Sequence, residues 1–369
     1  MDEHERLGLS RSVYEGLRDR FVHRTYKGRR YCYLPDYHGP LERGTVIVED
    51  TVVRGFPKIP RTLVLETGIP RHFTDSLVVE EKLNGYNARV VSIGGATYAF
   101  TRSGIICPFT THVVTSGLDL DAFFAAHPDV MLCGEVIGPE NPYTTADYPG
   151  VESIAFRAFD IRDRESGMPL SIEARQRLCE SYDIPQVPNL GSYTTAEAVT
   201  AVPTIVRELS AEGREGVVLK SFNGTRQLKY TTSAGNQDDL SYAFALPFDR
   251  GQSFMFRRLI REAFQSVEWD EGPDAVRERA QGLGESILYP MVEAIRRIDA
   301  GETVGERHTV RGDPAVLDAL LAHFRDLGLH IAVEADTREG DERVVTFLKQ
   351  TQATNDRTRT YLDGHIVHE

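Results

Sequence analysis

The chain has 369 residues, 41% of them apolar and 26% charged, a balance that excludes a disordered protein and is too long for one ordinary core. The net charge of −13 argues against a general nucleic-acid binder, because phosphate affinity comes from Lys and Arg, and an enzyme of nucleic acids must then concentrate its basic residues locally. There is no run of about 18 apolar residues, and the start MDEHERLGLS has neither the basic beginning nor the apolar stretch of a secretory leader, so a cytoplasmic protein that does not span a membrane is expected.

In chain order, Leu7, Leu9, Val13 and Leu17 sit at helical spacing, which predicts an amphipathic helix over residues 1 to about 20. FVHRTY, RRYCYL and GTVIVEDTVVRG then read as short strands, and GFPKIPR, with Gly55, Pro57 and Pro60, as a junction. Residues 1–62 are therefore taken as a small β-rich module. Over 63–237, strands are expected at SLVVEEKL, ARVVSI, TYAFTR, DVMLCGEVIG, SIAFRAFDIRD and GVVLKSF, with helices at 119–127, 171–182 and 195–212. Strands dominate and helices are scattered, so the fold class is α+β with antiparallel sheets rather than a doubly wound parallel one. Residues 238–305 carry helical periodicity. Residues 306–369 read as a small α/β tail, with a helix opened by Asp313 and Pro314 and ended by Gly328, then strands LHIAVEA and RVVTFLKQ. Cys32, Cys107, Cys133 and Cys179 form no C-x-x-C pair and are expected to be free thiols, not zinc ligands.

The chemistry concentrates in a few segments. In EEKLNGYNAR, the strand Leu77–Val79 runs into Lys82, and Asn84-Gly85 is a tight-turn pair that would fix the direction of the lysine. An amine attacks phosphorus only when unprotonated, and an isolated lysine has a pKa of about 10.4, so a lysine nucleophile needs burial or other cations nearby. The same segment also reads as a surface lysine beside a hairpin. Arg102 ends a strand before Ser103-Gly104, either as a fork for ribose or phosphate oxygens or as an exposed turn arginine. Glu135 lies on an apolar strand face with Met131, Cys133 and Ile137, and must be ion-paired or metal-bound there. Phe159 can stack on a base or simply fill the core. Glu215, Lys220 and Lys229 supply one more oxygen donor and two more cations. In a regular strand Glu215 and Lys220 face opposite ways, so a bulge or the strand end must re-aim one of them.

Read in order, Lys82-Leu83-Asn84-Gly85, GEVIG around Glu135, AFDI around Phe159, EGVVLK at 215–220 and LKY at 228–230 resemble the ordered motifs of the covalent nucleotidyltransferases. Together with GFPKI, GEVIGPENPY and the helical stretch after them, they look most like the archaeal-type homodimeric ATP-dependent RNA ligases. The resemblance implies lysyl-AMP formation on Lys82, with AMP passing to a 5′-phosphate and a 3′-hydroxyl completing the seal. It implies that Glu135 and Glu215 hold Mg²⁺ or Mn²⁺, that Lys220, Lys229 and Arg102 offset phosphate charge, and that Phe159 stacks on adenine. Glu81, Asn84, Gly85 and Arg89 are further candidates for ATP. The arginine usual two residues after the motif glycine is Asn87 here, and the first lysine of the last motif is Gln227. The basic-aromatic run Tyr26, Lys27, Arg29, Arg30, Tyr31 and Tyr33 is a candidate platform for RNA ends, or equally a charged edge strand. The helical region 238–305 would mediate dimerisation, through Phe254, Phe256, Leu259 and Phe264. The alternatives are a DNA ligase, a GTP-dependent capping-type enzyme, and a non-catalytic RNA-binding dimer.

Overall fold

The computed structural model describes residues 3–366. The expected N-terminal helix breaks near Gly8, whose φ is +67°, into α1 (Glu3–Arg6) and α2 (Arg11–Leu17). Met1 and Asp2 of that expectation lie outside the described residues. Next come β1 (Val22–Tyr26), β2 (Arg29–Tyr33), β3 (Val46–Val48) and β4 (Thr51–Val53), paired in sequence order as one antiparallel sheet.

The following elements are α3 (Leu65–His72), β5 (Leu77–Lys82), β6 (Tyr86–Ile93), β7 (Ala96–Thr101), α4 (Pro108–Gly117), α5 (Leu120–Ala126), β8 (Val130–Ile137) and β9 (Ala155–Asp163). After them come α6 (Ile172–Ser181), β10 (Asn189–Tyr193), α7 (Thr195–Ala211), β11 (Gly216–Ser221) and β12 (Gln227–Thr231). They make two antiparallel sheets, β7-β6-β8-β9 and β10-β5-β11-β12. Leu83–Gly85 is therefore not the hairpin turn of the alternative reading. It carries the chain from one sheet to the other, and Lys82 stands at the seam.

Each sheet buries its apolar faces, as alternation requires. Leu77, Val79, Val217 and Leu219 pack under Leu65 and Ile69 of α3 and Val202 and Val206 of α7. Ala88, Val90 and Leu132 pack against Phe123 and Phe124 of α5, and the opposite face of that sheet meets Tyr31, Tyr33 and Val46 of the N-terminal module. Helices α8 (Ser233–Ala245), α9 (Gln252–Glu268) and α10 (Pro273–Asp299) follow. A last sheet, ordered β13-β15-β14, is built from β13 (Gly305–Gly312), β14 (Ile331–Glu339) and β15 (Glu342–Gln350), with α11 (Pro314–Asp326) and α12 (Gln352–Leu362). It docks on α4 and its N-cap through Phe324 and Phe347 against Phe109 and Cys107. No helix among the described residues is long and apolar enough to cross a membrane.

Candidate active site

Lys82 ends β5 facing a cavity of about 500 Å³ between the sheets β10-β5-β11-β12 and β7-β6-β8-β9, within the size range of small-ligand sites. Its Nζ lies 2.5 Å from Oε2 of Glu215, and both side chains are half-buried. The parity problem at Glu215 is solved by the strand end. β11 begins at Gly216, whose φ of +148° only glycine adopts readily, and Glu215 leaves the pleat just before it. A Cβ at 216 would fall on the carbonyl oxygen of Tyr230.

Glu135 lies on β8 directly across from Asn87 on β6, and both line the cavity. Burial pushes the Glu135 carboxyl up to about 8; Lys82 and Arg102 oppose this and Glu215 adds to it. Lys229 also lines the cavity; burial and the neighbouring cations Arg61, Lys82 and Arg102 push it down to about 8. Arg102 reaches the cavity rim, 3.4 Å from the Tyr37 hydroxyl.

Phe159 occupies a bulge in β9, where Cys133 pairs with Asp160 and Gly134 with Ala158. Its ring lines the cavity and stands edge-on to Phe56, with centroids 5.2 Å apart. The bulge frees its carbonyl, which accepts from Lys220 Nζ at 2.6 Å and from Arg175. Lys220 is fully buried and also bonds Glu80 at 2.8 Å and Asp160 at 3.0 Å. Its ammonium is thus committed to the cavity floor, where Arg162 and Gln227 complete the same network on Asp160.

Asn84 donates its N–H to the Tyr148 hydroxyl at 2.6 Å, and Gly85 approaches the Val136 carbonyl so closely that a Cβ would collide with it. The Glu81 carboxylate is 3.8 Å from Arg214; burial raises it, and its Oε1 has no hydrogen-bond partner among the described residues.

Arg89 is not at the cavity. It is completely buried and donates to the carbonyls of Gly44 at 2.7 Å, Thr101 at 3.1 Å and Arg54, clamping the N-terminal module to β6. Asn87, two residues earlier on the same strand face, lines the cavity instead, and its Oδ1 is buried without a partner. The basic-aromatic run 26–33 lies away from the cavity. Tyr31 and Tyr33 are core, and Arg29 is spent on the Ile93 carbonyl at 2.9 Å, Glu49 at 3.4 Å and the Tyr98 ring. Lys27 and Arg30 are exposed, and none of these residues lines the cavity.

Other walls had no local signal in the sequence: Phe56 and Ile59 from the junction, Val187 and Val218, and His323 of α11 with Leu327 just after it. The last two lie more than 200 residues from Lys82, and only tertiary docking brings them in.

Residues 75–231 match the family model described as RNA ligase, and residues 242–365 match one described as the C-terminal region of ligase Pab1020. Two solved structures of an archaeal ATP-dependent RNA ligase share 40% and 41% identity, cover 99% of this chain and 98% of theirs, and superpose with TM-scores of 0.92 and 0.93. An Aquifex aeolicus protein provisionally described as an ATP-dependent DNA ligase is 28% identical, covering 97% of this chain and 100% of its own, with a TM-score of 0.90. An uncharacterized protein of Methanocaldococcus jannaschii is 42% identical over 339 residues, 88% of this chain and 86% of that one.

Proposed function

The chain belongs to the archaeal ATP-dependent RNA ligases, and on that footing we propose that it seals a 5′-phosphate to a 3′-hydroxyl through a lysyl-AMP intermediate on Lys82. The observation that carries this reading is one half-buried amine, aimed into a nucleotide-sized cavity and held by Glu215, with Glu135 and Lys229 on the same walls.

In the first transfer Lys82 Nζ bonds to the α-phosphorus of ATP. The bond to the α–β bridging oxygen breaks, its electron pair leaves on pyrophosphate, and the amine proton passes to Glu215. The AMP is next taken by the RNA 5′-phosphate, and a 3′-hydroxyl then displaces AMP. Such transfers ask the protein for alignment and charge neutralisation more than for acid–base work. Phe159 offers its face to adenine, and the free acceptors of Glu81 and Asn87 suit an exocyclic amine and a ribose hydroxyl. Lys229 and Arg102 neutralise phosphoryl oxygens. Lys220 acts one layer lower, fixing Phe159 and the β5 strand.

Glu135 and Glu215 fit a magnesium or manganese ion. They are two carboxylates converging beside Lys82, with Glu135 raised in part by the charge of Glu215. Bound there, the ion supplies positive charge to the phosphates. Among the described residues no cluster of three or more metal-type side chains exists, so these two carboxylates would hold the ion together with water and phosphate oxygens.

Residues 63–237 form the catalytic unit in this reading, between the module 1–62 and the helical and tail regions 238–305 and 306–369. The exposed Phe256, Phe264, Leu288 and Tyr289 of α9 and α10 suit a homodimer contact, whereas Phe254 and Leu259 pack inward with Leu240 and Met255. A monomer in sedimentation equilibrium would exclude the dimer. The four free thiols suit a reducing cytoplasm.

The test uses labelled ATP and a denaturing gel. Wild type takes up label, Lys82→Ala takes up none, and the variant still seals RNA that is already adenylated. Label on Lys82→Ala would remove the nucleophile. Preference for GTP, or for DNA ends, would favour the capping-type or DNA-ligase alternative. A wild-type protein that is folded and never labelled would favour the non-catalytic dimer.

A further inference from the structure

The cavity crosses the sheet β7-β6-β8-β9 from one edge to the other. Phe159 of β9 lines it at one edge, and Glu135 of β8 and Asn87 of β6 line its middle. Ile105, whose carbonyl accepts the N–H of Thr101 at the end of β7 at 2.9 Å, lines it at the other edge. Three strand spacings of about 4.8 Å separate the edges, roughly 14 Å in all. In the lysyl-AMP reading adenine stacks on Phe159 and the α-phosphorus stands at Lys82. The nucleotide then fills the β9 end and the middle, and leaves the β7 end to another group.

That end is walled by the tail region. Phe324 of α11 packs on Phe109 of α4 and on its N-cap Cys107, just beyond Ile105, and the adjacent His323 lines the cavity together with Leu327. The His323 Nε2 is buried and has no hydrogen-bond partner among the described residues, an unmet group that is costly to leave empty. The charges that act on this ring are Arg24 and Asp326. Lys82, Arg102 and Glu215 act instead on Glu135 and Lys229, so Arg102 serves the middle of the cavity. Burial and then Arg24 hold His323 down to about 4, which leaves its imidazole neutral at pH 7. A neutral ring with Ile105 and Leu327 offers a hydrogen bond and apolar contact without charge, which suits a nucleoside rather than a phosphate. The cation stands one step farther out: Arg24 of β1 does not line the cavity, and its Nε is buried without a hydrogen-bond partner among the described residues.

We propose that Ile105, His323 and Leu327 form a second nucleoside subsite, which holds the 3′-terminal nucleoside of RNA beside the adenylated end, with Arg24 on the phosphodiester behind it. The order of the groups selects the end of the strand. A 5′-phosphate end would bring its charge in first, to a wall whose hydrogen-bonding group is uncharged. A 3′-hydroxyl end brings an uncharged ribose and base in first and its nearest phosphate one nucleotide farther out, where Arg24 stands. In the joining step the 3′-oxygen then bonds to the 5′-phosphorus of the adenylated RNA. The bond from that phosphorus to the AMP oxygen breaks, its electron pair leaves on AMP, and the hydroxyl proton passes to water. His323 acts by positioning the nucleoside, not by taking the proton.

This rests on the lysyl-AMP reading, and the experiment isolates the joining step. A 5′-adenylated donor RNA with a blocked 3′ end is mixed with a separate acceptor RNA that has hydroxyls at both ends. Acceptor concentration is varied for wild type, His323→Ala, His323→Asn and Arg24→Gln, and the lysyl-AMP that each forms at saturating ATP reports folding. His323→Ala and Arg24→Gln should raise the acceptor KM about tenfold with kcat within about twofold of wild type, and His323→Asn, which keeps a hydrogen-bonding group, should lie between. An acceptor whose last residue lacks both its base and its 2′-hydroxyl should cost wild type a similar factor and His323→Ala little more. An unchanged acceptor KM in His323→Ala overturns the subsite. So does a defect confined to AMP transfer from the protein onto a 5′-phosphate, because the wall would then serve the other end. If His323→Ala forms no lysyl-AMP, His323→Asn decides by the same measure. A wild type that forms none refutes the underlying reading instead.

Discussion

Two residues apart on β6, Asn87 and Arg89 share a strand face and have opposite fates. Alternation fixes the face, and both positions are polar in the sequence, so either could serve a ligand. What the sequence does not carry is where along the strand the cavity stops and the N-terminal module begins. The boundary falls between them, beyond Gly44 and Arg54, residues more than 30 positions upstream. Arg89 is therefore a structural clamp. Arg89→Met should leave the ATP dependence of self-adenylation unchanged while lowering unfolding stability by about 3 kcal/mol, since three carbonyls lose a charged donor at once. Urea melts of the two proteins with and without ATP measure both effects. A shifted ATP dependence with unchanged stability would restore Arg89 to the nucleotide.

At the scale of elements, the strands that carry chemistry were readable because each couples an apolar run to a charged end: LVVEEK, VMLCGEVI and GVVLKS. Helices 120–126, 172–181 and 195–211 were readable from period and caps, with Ser171 and Thr194 as N-caps. Several elements gave no usable pattern, the polar α12 among them. α3 contains Pro70, α4 is rich in Thr and Val, and β10 and β13 are short or polar. α3 also owes its start to a distant residue: Glu268, at the end of α9, accepts from the N–H of Leu65 and, at 3.0 Å, from that of Glu66. The pairing of β5 and β6 with different sheets was equally hidden, because Asn84-Gly85 suits a hairpin as well as a crossing. The element most exposed to a single change is β11 at its first residue. Gly216→Ala should shift Glu215 off Lys82 and slow lysyl-AMP formation about a hundredfold with little effect on the helical content. Stopped-time labelling against far-ultraviolet circular dichroism checks it, and wild-type labelling would mean that Glu215 is not held by the turn.

For the whole molecule, charge and architecture tell one story. An acidic exterior coexists with cations gathered inside one cleft, so the composition misleads about nucleic acid until the fold is known. The tail sheet was expected from its periodicity, but its reach into the cavity was not. His323 is held down to about 4 by burial and by the cation of Arg24. Unfolded, it binds a proton below about 6.5, while the folded protein refuses one until about 4, so this contribution to stability is intact above 6.5 and drains away as the pH falls toward 4. His323→Phe should flatten that acid limb in thermal melts taken between pH 7 and 4; a limb of unchanged slope would exonerate the histidine.

The wall made by His323 and Leu327 also has a meaning in time. Translation delivers Lys82 early and α11 late, so in a nascent chain the cavity that Lys82 lines lacks this wall until α11 is made and has docked.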